Sequence, residues 1–433
     1  MVPSSGVMSR RGILLILSLV YLAHSVDRQI IAVVIEPIKQ EFHLSDTMLG
    51  LLGGLGSAAM FALASLPVGY LVDRTNRVRL LAILLGVWSF LTALSGFASS
   101  YAALFFARMG VGAAEAGGSP TIMSLIADLF PAHRRSSAIG VCYMSTAAGV
   151  SLSFLVGSAV AAAYGWRSAF WIAGVPGIIL TVLVLKLLHE PNRGARDTIS
   201  DPALADEQMP SFRHTLQLIV RTPAVMHIAI AITLAGFVTA TLWIWSTSLL
   251  IRYHGLDLAH AGRFVAFAAL FQASGSWAGG AIADRMARRE TAAPAMVAGI
   301  CVLLAVPFGI GLALTDSTVA ALICLCTMAF LNGAWMGPSF AFVVTVVPPR
   351  MRGLVSAFVQ LLVNLIGSGA GPLVAGALSD RLSGGLQSAL AVCFCFHLWG
   401  AVHFGLACRA VRATGARRGE GETSPYEARF SGD

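Results

Sequence analysis

The chain has 433 residues, of which 57% are hydrophobic and only 12% are charged. Soluble domains carry about a quarter charged residues, so this composition excludes a soluble enzyme and indicates a polytopic membrane protein. The net charge of +8 would suggest a nucleic-acid partner in a soluble protein. Here we expect none, because the loops that orient membrane helices account for the basic excess.

Twelve stretches of the chain are long and apolar enough to cross a membrane, which takes about 20 residues per helix. Outer-membrane strands would be shorter and would alternate in polarity, so we predict an all-α membrane protein. The predicted spans lie near residues 12–36, 47–71, 78–98, 101–128, 136–162, 166–188, 223–251, 259–282, 292–314, 317–346, 352–378 and 387–410.

Lysine and arginine predict the orientation. With a cytoplasmic N-terminus, the cytoplasmic segments hold 22 of these residues and the opposite segments hold 5. The positive-inside rule therefore places both termini in the cytoplasm. Arg10 and Arg11 resemble a twin-arginine export signal, but the apolar run continues past any cleavage site, and we interpret them as a basic flank. The short loops favour a bacterial inner membrane.

The chain repeats itself. The pattern G-x-x-x-D-R-x-x-R begins at Gly69 after span 2 and again at Gly280 after span 8. We predict an N-terminal six-helix bundle (1–188), a cytoplasmic linker (189–222), a C-terminal six-helix bundle (223–410) and a flexible cytoplasmic tail (411–433). Two such halves, with a substrate site between them, are typical of major facilitator transporters.

The repeated motif predicts a gate on the cytoplasmic side. We expect its glycines to allow close helix approach and its charges to form inter-helix ion pairs that break when the halves rock. Asp128 is expected to pair with Arg74 or Arg77. The alternative is that these are ordinary positive-inside loops with a helix-ending Asp. The residues assigned to this gate are Gly69, Asp73, Arg74, Arg77, Asp128, Gly280, Asp284 and Arg285.

Charged residues inside the spans are costly and are candidates for function. Arg108 and Glu115 lie seven residues apart on one helix face, about 10 Å along the axis. Asp27 and Arg28 point about 100° apart, so at least one must reach another span. We expect Asp27, and second Glu115, to carry a coupling proton, with His24 in the same network. Arg28, Arg108 and Glu115 are expected to contact substrate. The alternative is a static ion-pair cluster that specifies helix packing.

The second half offers neutral hydrogen-bonding and aromatic groups. They suit the wall of an apolar cavity, although each could equally pack between helices. The contrast with the charged first half suits a ligand with a polar head and an apolar tail. The candidate substrate-binding residues here are Phe237, Thr241, Trp243, Asn332, Trp335, Gln360 and Asn364.

Together these motifs resemble the Spinster family of the major facilitator superfamily. The matching segments are DRQ from Asp27, FHLSD from Phe42, GYLVDR from Gly69, ARMGVGAAEA from Ala107, DLFP from Asp128 and GWRSAF from Gly165. The resemblance implies transport of lysophospholipids or sphingosine phosphates in eukaryotic members and proton-linked transport in bacterial relatives. It places Asp27, Arg28, Arg108 and Glu115 at the functional centre.

One departure leaves the direction of transport open: the antiporter-like G-x-x-x-G-P pattern is absent from span 5 and occurs in span 11, from Gly367 to Pro372.

The sequence thus predicts a monomeric secondary transporter that moves a lysolipid- or sphingolipid-like substrate by alternating access, with protons as coupling ion, membrane lipid around it and no other cofactor. A proton-linked multidrug exporter or an organic-anion transporter is the alternative. An enzyme is disfavoured because H-E-x-x-H and G-x-S-x-G motifs and clustered histidines are absent from the sequence, and a channel because repeated halves suit rocking. The seven cysteines are interpreted as apolar packing residues rather than metal ligands.

Overall fold

The computed structural model describes residues 9–192, 217, 219–347 and 351–419. This part of the chain forms twelve long helices, which agree with the predicted spans. They are α1 (Arg10–Phe42), α2 (Asp46–Arg74), α3 (Arg77–Ser95), α4 (Tyr101–Glu115 and Gly118–Leu129), α5 (Ala132–Leu152, Ser153–Gly157 and Ser158–Tyr164), α6 (Trp166–Leu187), α7 (Pro223–His254), α8 (Leu258–Ala287), α9 (Ala293–Leu314), α10 (Thr318–Ala334 and Met336–Val346), α11 (Arg352–Leu362, Val363–Ala370 and Gly371–Ser379) and α12 (Gly385–Phe394 and Phe396–Gly419).

The predicted all-α fold class is confirmed. Eleven of the helices are long and apolar enough to cross a membrane, including α10 and α12, which each contain a one-residue irregularity. Helix α4 is the exception, because it breaks after Glu115 and resumes at Gly118, so that both of its pieces are short. The break lies directly beside the buried Glu115, within the span that also carries Arg108.

Local sequence explains where many helices begin. Ser45, Asn76 and Ser100 each accept a hydrogen bond from a backbone N–H in the first turn of the helix that follows. Such caps satisfy donors that a helix N-terminus leaves unpaired. Helix α7 ends at Gly255, whose φ of 64° lies in the left-handed region that glycine adopts without strain.

The domain boundaries predicted from the sequence fall partly outside the described residues. Most of the linker, 193–216 and 218, and the end of the tail, 420–433, lie there. Helix α12 continues to Gly419, so the tail expected from 411 is helical over its first residues. Arg412 pairs with Glu290 and Cys408 donates to the carbonyl of Ala292, which ties this extension to the start of α9.

Apolar packing divides the molecule into two ends. We call the end at which α1 begins and α12 finishes the terminal end, and the other the opposite end. Each half has its own apolar cluster, and a third, larger cluster is shared by both halves toward the opposite end. Members of the shared cluster include Ile35, Leu49, Phe154, Leu249 and Phe394. The halves are therefore packed together at the opposite end.

Glycines allow this close packing. A Cβ atom at Gly50 or Gly376 would overlap backbone across the contact between α2 and α11, and one at Gly54 would lie 2.6 Å from the carbonyl oxygen of Gly369. The motif glycines behave differently: a Cβ at Gly69 or Gly280 would meet nothing within 4 Å. The predicted close helix approach at these two motif positions is therefore wrong for this conformation.

The contrast between two glycines of α8 can be tested. A Cβ at Gly275 would overlap the carbonyl oxygen of Phe330 in α10, whereas Gly280 faces open space. We expect Gly275→Ala to destabilise the fold by about 1–3 kcal/mol through overpacking. The measurement is the midpoint of thermal unfolding in detergent, with Gly280→Ala as the matched control. Equal midpoints for the two variants would contradict the packing described here.

Candidate functional site

A cavity of about 300 Å³ lies between the two halves. Helices α1, α2 and α4 supply one side and α7, α10 and α11 supply the other. Seven of the predicted substrate-binding residues line it, namely Arg28, Arg108, Glu115, Trp243, Trp335, Gln360 and Asn364. The charged members all come from the first half, and the second half contributes neutral and aromatic groups.

Three other predicted residues do not line the cavity. Phe237 stacks on Phe396 of α12, with ring centroids 4.8 Å apart, and Thr241 donates to the carbonyl of Phe237. Asn332 is buried behind the wall, where its Oδ1 accepts hydrogen bonds from Thr239 Oγ1 at 3.0 Å and Trp335 Nε1 at 3.3 Å. Asn332 therefore orients two wall residues instead of facing the cavity.

The residues of α2 that line the cavity were not predicted from the sequence, because α2 has the composition of an ordinary apolar span. Phe61 lies beneath the Arg28 guanidinium, 5.7 Å from its ring centroid, and Ser57 lines the same side. Met336, at the break in α10, also reaches the cavity. A helix that is apolar on all sides carries no periodic signal for the face that meets a cavity, so these positions have no clear signature in one sequence.

Asp27 lies behind the cavity wall and is fully buried. Neither of its carboxyl oxygens has a hydrogen bond, and among the described residues no cation lies within ion-pair distance of it. Arg108 Nη2 instead donates to the backbone carbonyl of Asp27 at 3.0 Å. A buried carboxyl without partners is far more stable neutral than ionised, so this surrounding favours the protonated acid.

The two intramembrane arginines each keep donors free for other contacts. Arg28 Nη2 donates to Asn364 Oδ1 of the second half at 3.1 Å, which links the halves across the cavity. Arg108 Nη1 is buried without a hydrogen bond. The alternative interpretation, a static cluster, requires ion pairs among Asp27, Arg28, Arg108 and Glu115. Such pairs are not formed among these residues in this conformation.

Glu115 faces His24 of α1. Its Oε2 lies 3.6 Å from His24 Nε2, while its Oε1 has no hydrogen bond. Arg108 and Glu115 both reach the cavity, as their spacing on one helix face predicts.

The opposite end is held by charged contacts between the halves. Arg252 of α7 binds Glu36 of α1 at 2.8 Å and both carboxylate oxygens of Asp46 at 2.7 and 2.9 Å. Ser379 of α11 also donates to Asp46, at 2.6 Å. We call this set, together with Asp380, the clasp. It was missed in the sequence because charges at span ends are common at membrane interfaces; the one signal was the FHLSD motif that ends at Asp46.

Asp380 closes the clasp from the loop after α11. Its carboxylate accepts the backbone N–H groups of Asp46 and Thr47 at 2.9 and 2.8 Å and the Thr47 hydroxyl at 2.6 Å. Burial opposes ionisation, but these hydrogen bonds prevail and hold the pKa of Asp380 below its ordinary value. The contact is therefore fully present above about pH 4 and is lost as the pH falls through the lowered pKa.

The terminal end shows a different pattern. Asp128 was expected to pair with Arg74 or Arg77, and it binds Arg77, which is almost fully buried. Arg77 also binds Glu190, at the start of the linker, at 2.7 Å. None of the three belongs to the second half. Among the described residues, neither Asp73 nor Asp284 forms an ion pair, and no hydrogen bond or ion pair joins the halves at this end. The expected inter-helix pairs of these two motif residues are therefore not formed in this conformation.

Comparison with known proteins agrees with this architecture. The family model described as Major Facilitator Superfamily matches residues 17–372. Protein spinster homolog 1 of Bos taurus is 30% identical over 404 residues, covering 87% of this chain and 75% of that protein. The chain belongs to the Spinster family of the major facilitator superfamily. It is therefore a membrane transporter and not an enzyme.

A solved structure and a further relative complete the comparison. A bacterial homolog of the human lysosomal transporter Spinster, solved inward-facing and unoccupied, superposes with a TM-score of 0.84 at 27% identity, covering 93% of this chain and 97% of that one. An MFS-type efflux pump of Mycolicibacterium smegmatis is 28% identical over 85% of this chain and 84% of its own length. In the present structure the clasp joins the halves at the opposite end only. This arrangement is consistent with the inward-facing conformation of the bacterial homolog.

The clasp can be tested in this Spinster protein by spin labels at Gln40 and Ser383, which are exposed on opposite halves beside it. We expect Arg252→Ala to lengthen or broaden the label distance, because it removes the hub of both ion pairs. Double electron–electron resonance in a cysteine-free background measures this distance. Arg263→Ala is the matched control, since Arg263 is exposed at the same end. An unchanged distance in Arg252→Ala would contradict a role for the clasp in closure.

Proposed function

We propose that the protein is a secondary transporter that moves an amphipathic, lysolipid- or sphingolipid-like molecule by proton-coupled alternating access. The observation that carries this proposal is the asymmetry of the cavity. Its first-half side presents Arg28, Arg108 and Glu115, and its second-half side presents Trp243 and Trp335. A charged head group fits the former side and an apolar tail the latter.

The head group proposed here is a phosphate or carboxylate held by the two arginines. Arg108 lines the cavity and has a buried Nη1 without a partner, and an unmade hydrogen bond of that kind is costly. An anion accepting from it would satisfy this donor through a charge-assisted hydrogen bond. Arg28 would add a second contact while it stays bound to Asn364, so a bound head group would touch both halves.

Proton coupling is proposed to arise from Asp27 and Arg108, with Glu115 as the second carrier. When Asp27 is protonated, Arg108 is free to hold a substrate anion. When Asp27 loses its proton, its carboxylate competes for Arg108, which already contacts the Asp27 backbone. Substrate anion and deprotonated Asp27 therefore disfavour each other, which is the differential affinity that coupling requires.

Alternating access is proposed to exchange one set of inter-half contacts for another. The clasp closes the opposite end here. The motif residues of the terminal end would join the halves in the other conformation, with Gly69, Asp73 and Arg74 from one half and Gly280, Asp284 and Arg285 from the other. The excess of Lys and Arg supports cytoplasmic termini in a bacterial inner membrane. We propose a monomer as the working unit, since the cavity is built within one chain.

Export of amphipathic drugs is the second candidate. It is favoured by the likeness to the mycobacterial protein described as an efflux pump. The two candidates differ in what competes for transport: lysolipids should displace the substrate in the first, and apolar cations or dyes in the second.

The role of Asp27 is tested by Asp27→Asn in proteoliposomes with an imposed pH gradient and a fluorescent lysolipid. We expect gradient-driven accumulation to be lost, because the amide carries no exchangeable acid proton, while substrate exchange without a gradient continues. Asp316→Asn, at an exposed carboxyl remote from the cavity, is the control. Undiminished gradient-driven uptake by Asp27→Asn would remove Asp27 as the proton carrier.

The role of Arg108 is tested by the head-group dependence of binding. We expect Arg108→Gln to weaken binding of an anionic lysolipid by about 10- to 100-fold, as expected for loss of a hydrogen bond to a charged group. An uncharged monoacyl lipid with the same tail should be little affected. Competition binding in detergent measures both, with Arg263→Gln as control. Equal losses for the two lipids would show that Arg108 supports the fold and does not hold the head group.

A further inference from the structure

A group of polar atoms lies inside the first half, between α1, α3 and α4, behind the cavity wall. These atoms are buried, and none of them has a hydrogen bond with the described residues. They include Asp27 Oδ1 and Oδ2, His24 Nε2, Glu115 Oε1, Trp88 Nε1 and Thr92 Oγ1. Buried polar groups are normally paired, so we treat these side chains as one buried polar group and call the space between them the chamber.

His24 stands at the border of this chamber. It lies four residues before Arg28, on the same face of α1 and one turn nearer the terminal end. Its side chain is 18% exposed. Nε2 is buried and lies 3.6 Å from Glu115 Oε2, whereas Nδ1 is not buried in this way. The His24 ring packs edge-to-face against Trp88, with the two ring centroids 5.9 Å apart. The imidazole thus has its Nε2 buried against Glu115 and its Nδ1 on the more exposed side of the ring.

The charged and titratable groups on this side of the first half come from α1, α4 and α5. Helix α1 contributes Asp27, Arg28 and Tyr21, and α4 contributes Arg108 and Glu115; α3 contributes Trp88 and Thr92, which do not ionise. Tyr21 bonds Ser119 at 2.9 Å on the terminal side, and Cys142 and Tyr143 of α5 lie beside Ser18 and Tyr21. Glu115 is therefore the acceptor that directly faces the buried nitrogen.

We propose that His24 relays the coupling proton from the exposed side of its ring to Glu115, whose Oε1 belongs to the same buried polar group as the Asp27 carboxyl. In the inward step an N–H bond forms at Nδ1, the N–H bond at Nε2 breaks, and that proton passes to Glu115 Oε2. The ring returns to its first tautomer when it turns so that both nitrogens reach solvent. Nδ1 then releases its proton to solvent and Nε2 takes one up from solvent, so the net change is one proton passed to Glu115. Histidine suits this task because its charge changes near neutral pH and both ring nitrogens exchange protons.

This inference rests on the proposed proton coupling, and its test separates the two. Two variants are compared in proteoliposomes: His24→Gln, which keeps polarity, and His24→Phe, which keeps ring packing against Trp88. Proton flux is read from pyranine trapped inside the vesicles, and substrate exchange is measured without a gradient. Ser25→Ala, at the neighbouring position of α1, is the control.

We expect both variants to lose proton-coupled uptake by about 100-fold, the lower range for a positioned acid–base group. Substrate exchange without a gradient should continue in both variants. Proton flux at the normal rate in either variant overturns the relay. Loss of exchange together with proton flux in both variants also overturns it, because it shows a structural role. If Asp27→Asn keeps its proton coupling, the proposed function itself fails, whatever the His24 variants do.

Discussion

The burial of the Asp27 carboxyl without a partner is the constraint on which the centre of the molecule depends. Ionised, this group would bring an unpaired charge into a region with little water, at a cost of several kcal/mol. Arg108 contacts this residue through the backbone carbonyl and not through the carboxyl. The chamber around Asp27 can therefore hold its charge only if water enters or if Arg108 moves. Either event changes the wall of the substrate cavity, because Arg108 belongs to both regions.

This arrangement explains why the second half needs no buried charge of its own. The proposed proton site and the proposed head-group site share Arg108 on α4, so the proposal couples them within the first half. The second half contributes neutral side chains at the cavity and glycines that let α11 lie close to α2. Arg28 bonds to Asn364 by a single neutral acceptor. A link of that strength, on the order of 1–3 kcal/mol, positions the halves without locking them.

Much of the fold followed from the sequence alone, because twelve apolar runs and a repeated loop motif are strong, independent signals. The intramembrane charges were also readable, since Asp27 and Glu115 are conspicuous in apolar spans. Phe237, Thr241 and Asn332 were misplaced for a definite reason. Helices α7 and α10 are apolar around most of their circumference, so the sequence carries no amphipathic pattern to distinguish the cavity face from the face that packs on α12. The contacts of the clasp could not be predicted from the sequence. Its residues are distant from one another in sequence, and charges are common at membrane interfaces.

The energetics of the clasp show why small events at the centre can change the state of the whole molecule. Moving a two-state equilibrium from 1:99 to 99:1 takes about 5.5 kcal/mol. The clasp lies at the end of the helices, where Arg252, Asp380 and their partners become hydrated when it opens, so its loss does not strand bare charges in an apolar core. Hydrogen bonds to charged groups contribute about 1.5–3 kcal/mol each. A set of a few such contacts is thus matched in size to the charge-assisted hydrogen bonds that a substrate head group or a proton makes at Arg108 and Asp27. Under the proposed mechanism, binding at the central site is therefore large enough to offset the contacts of the clasp.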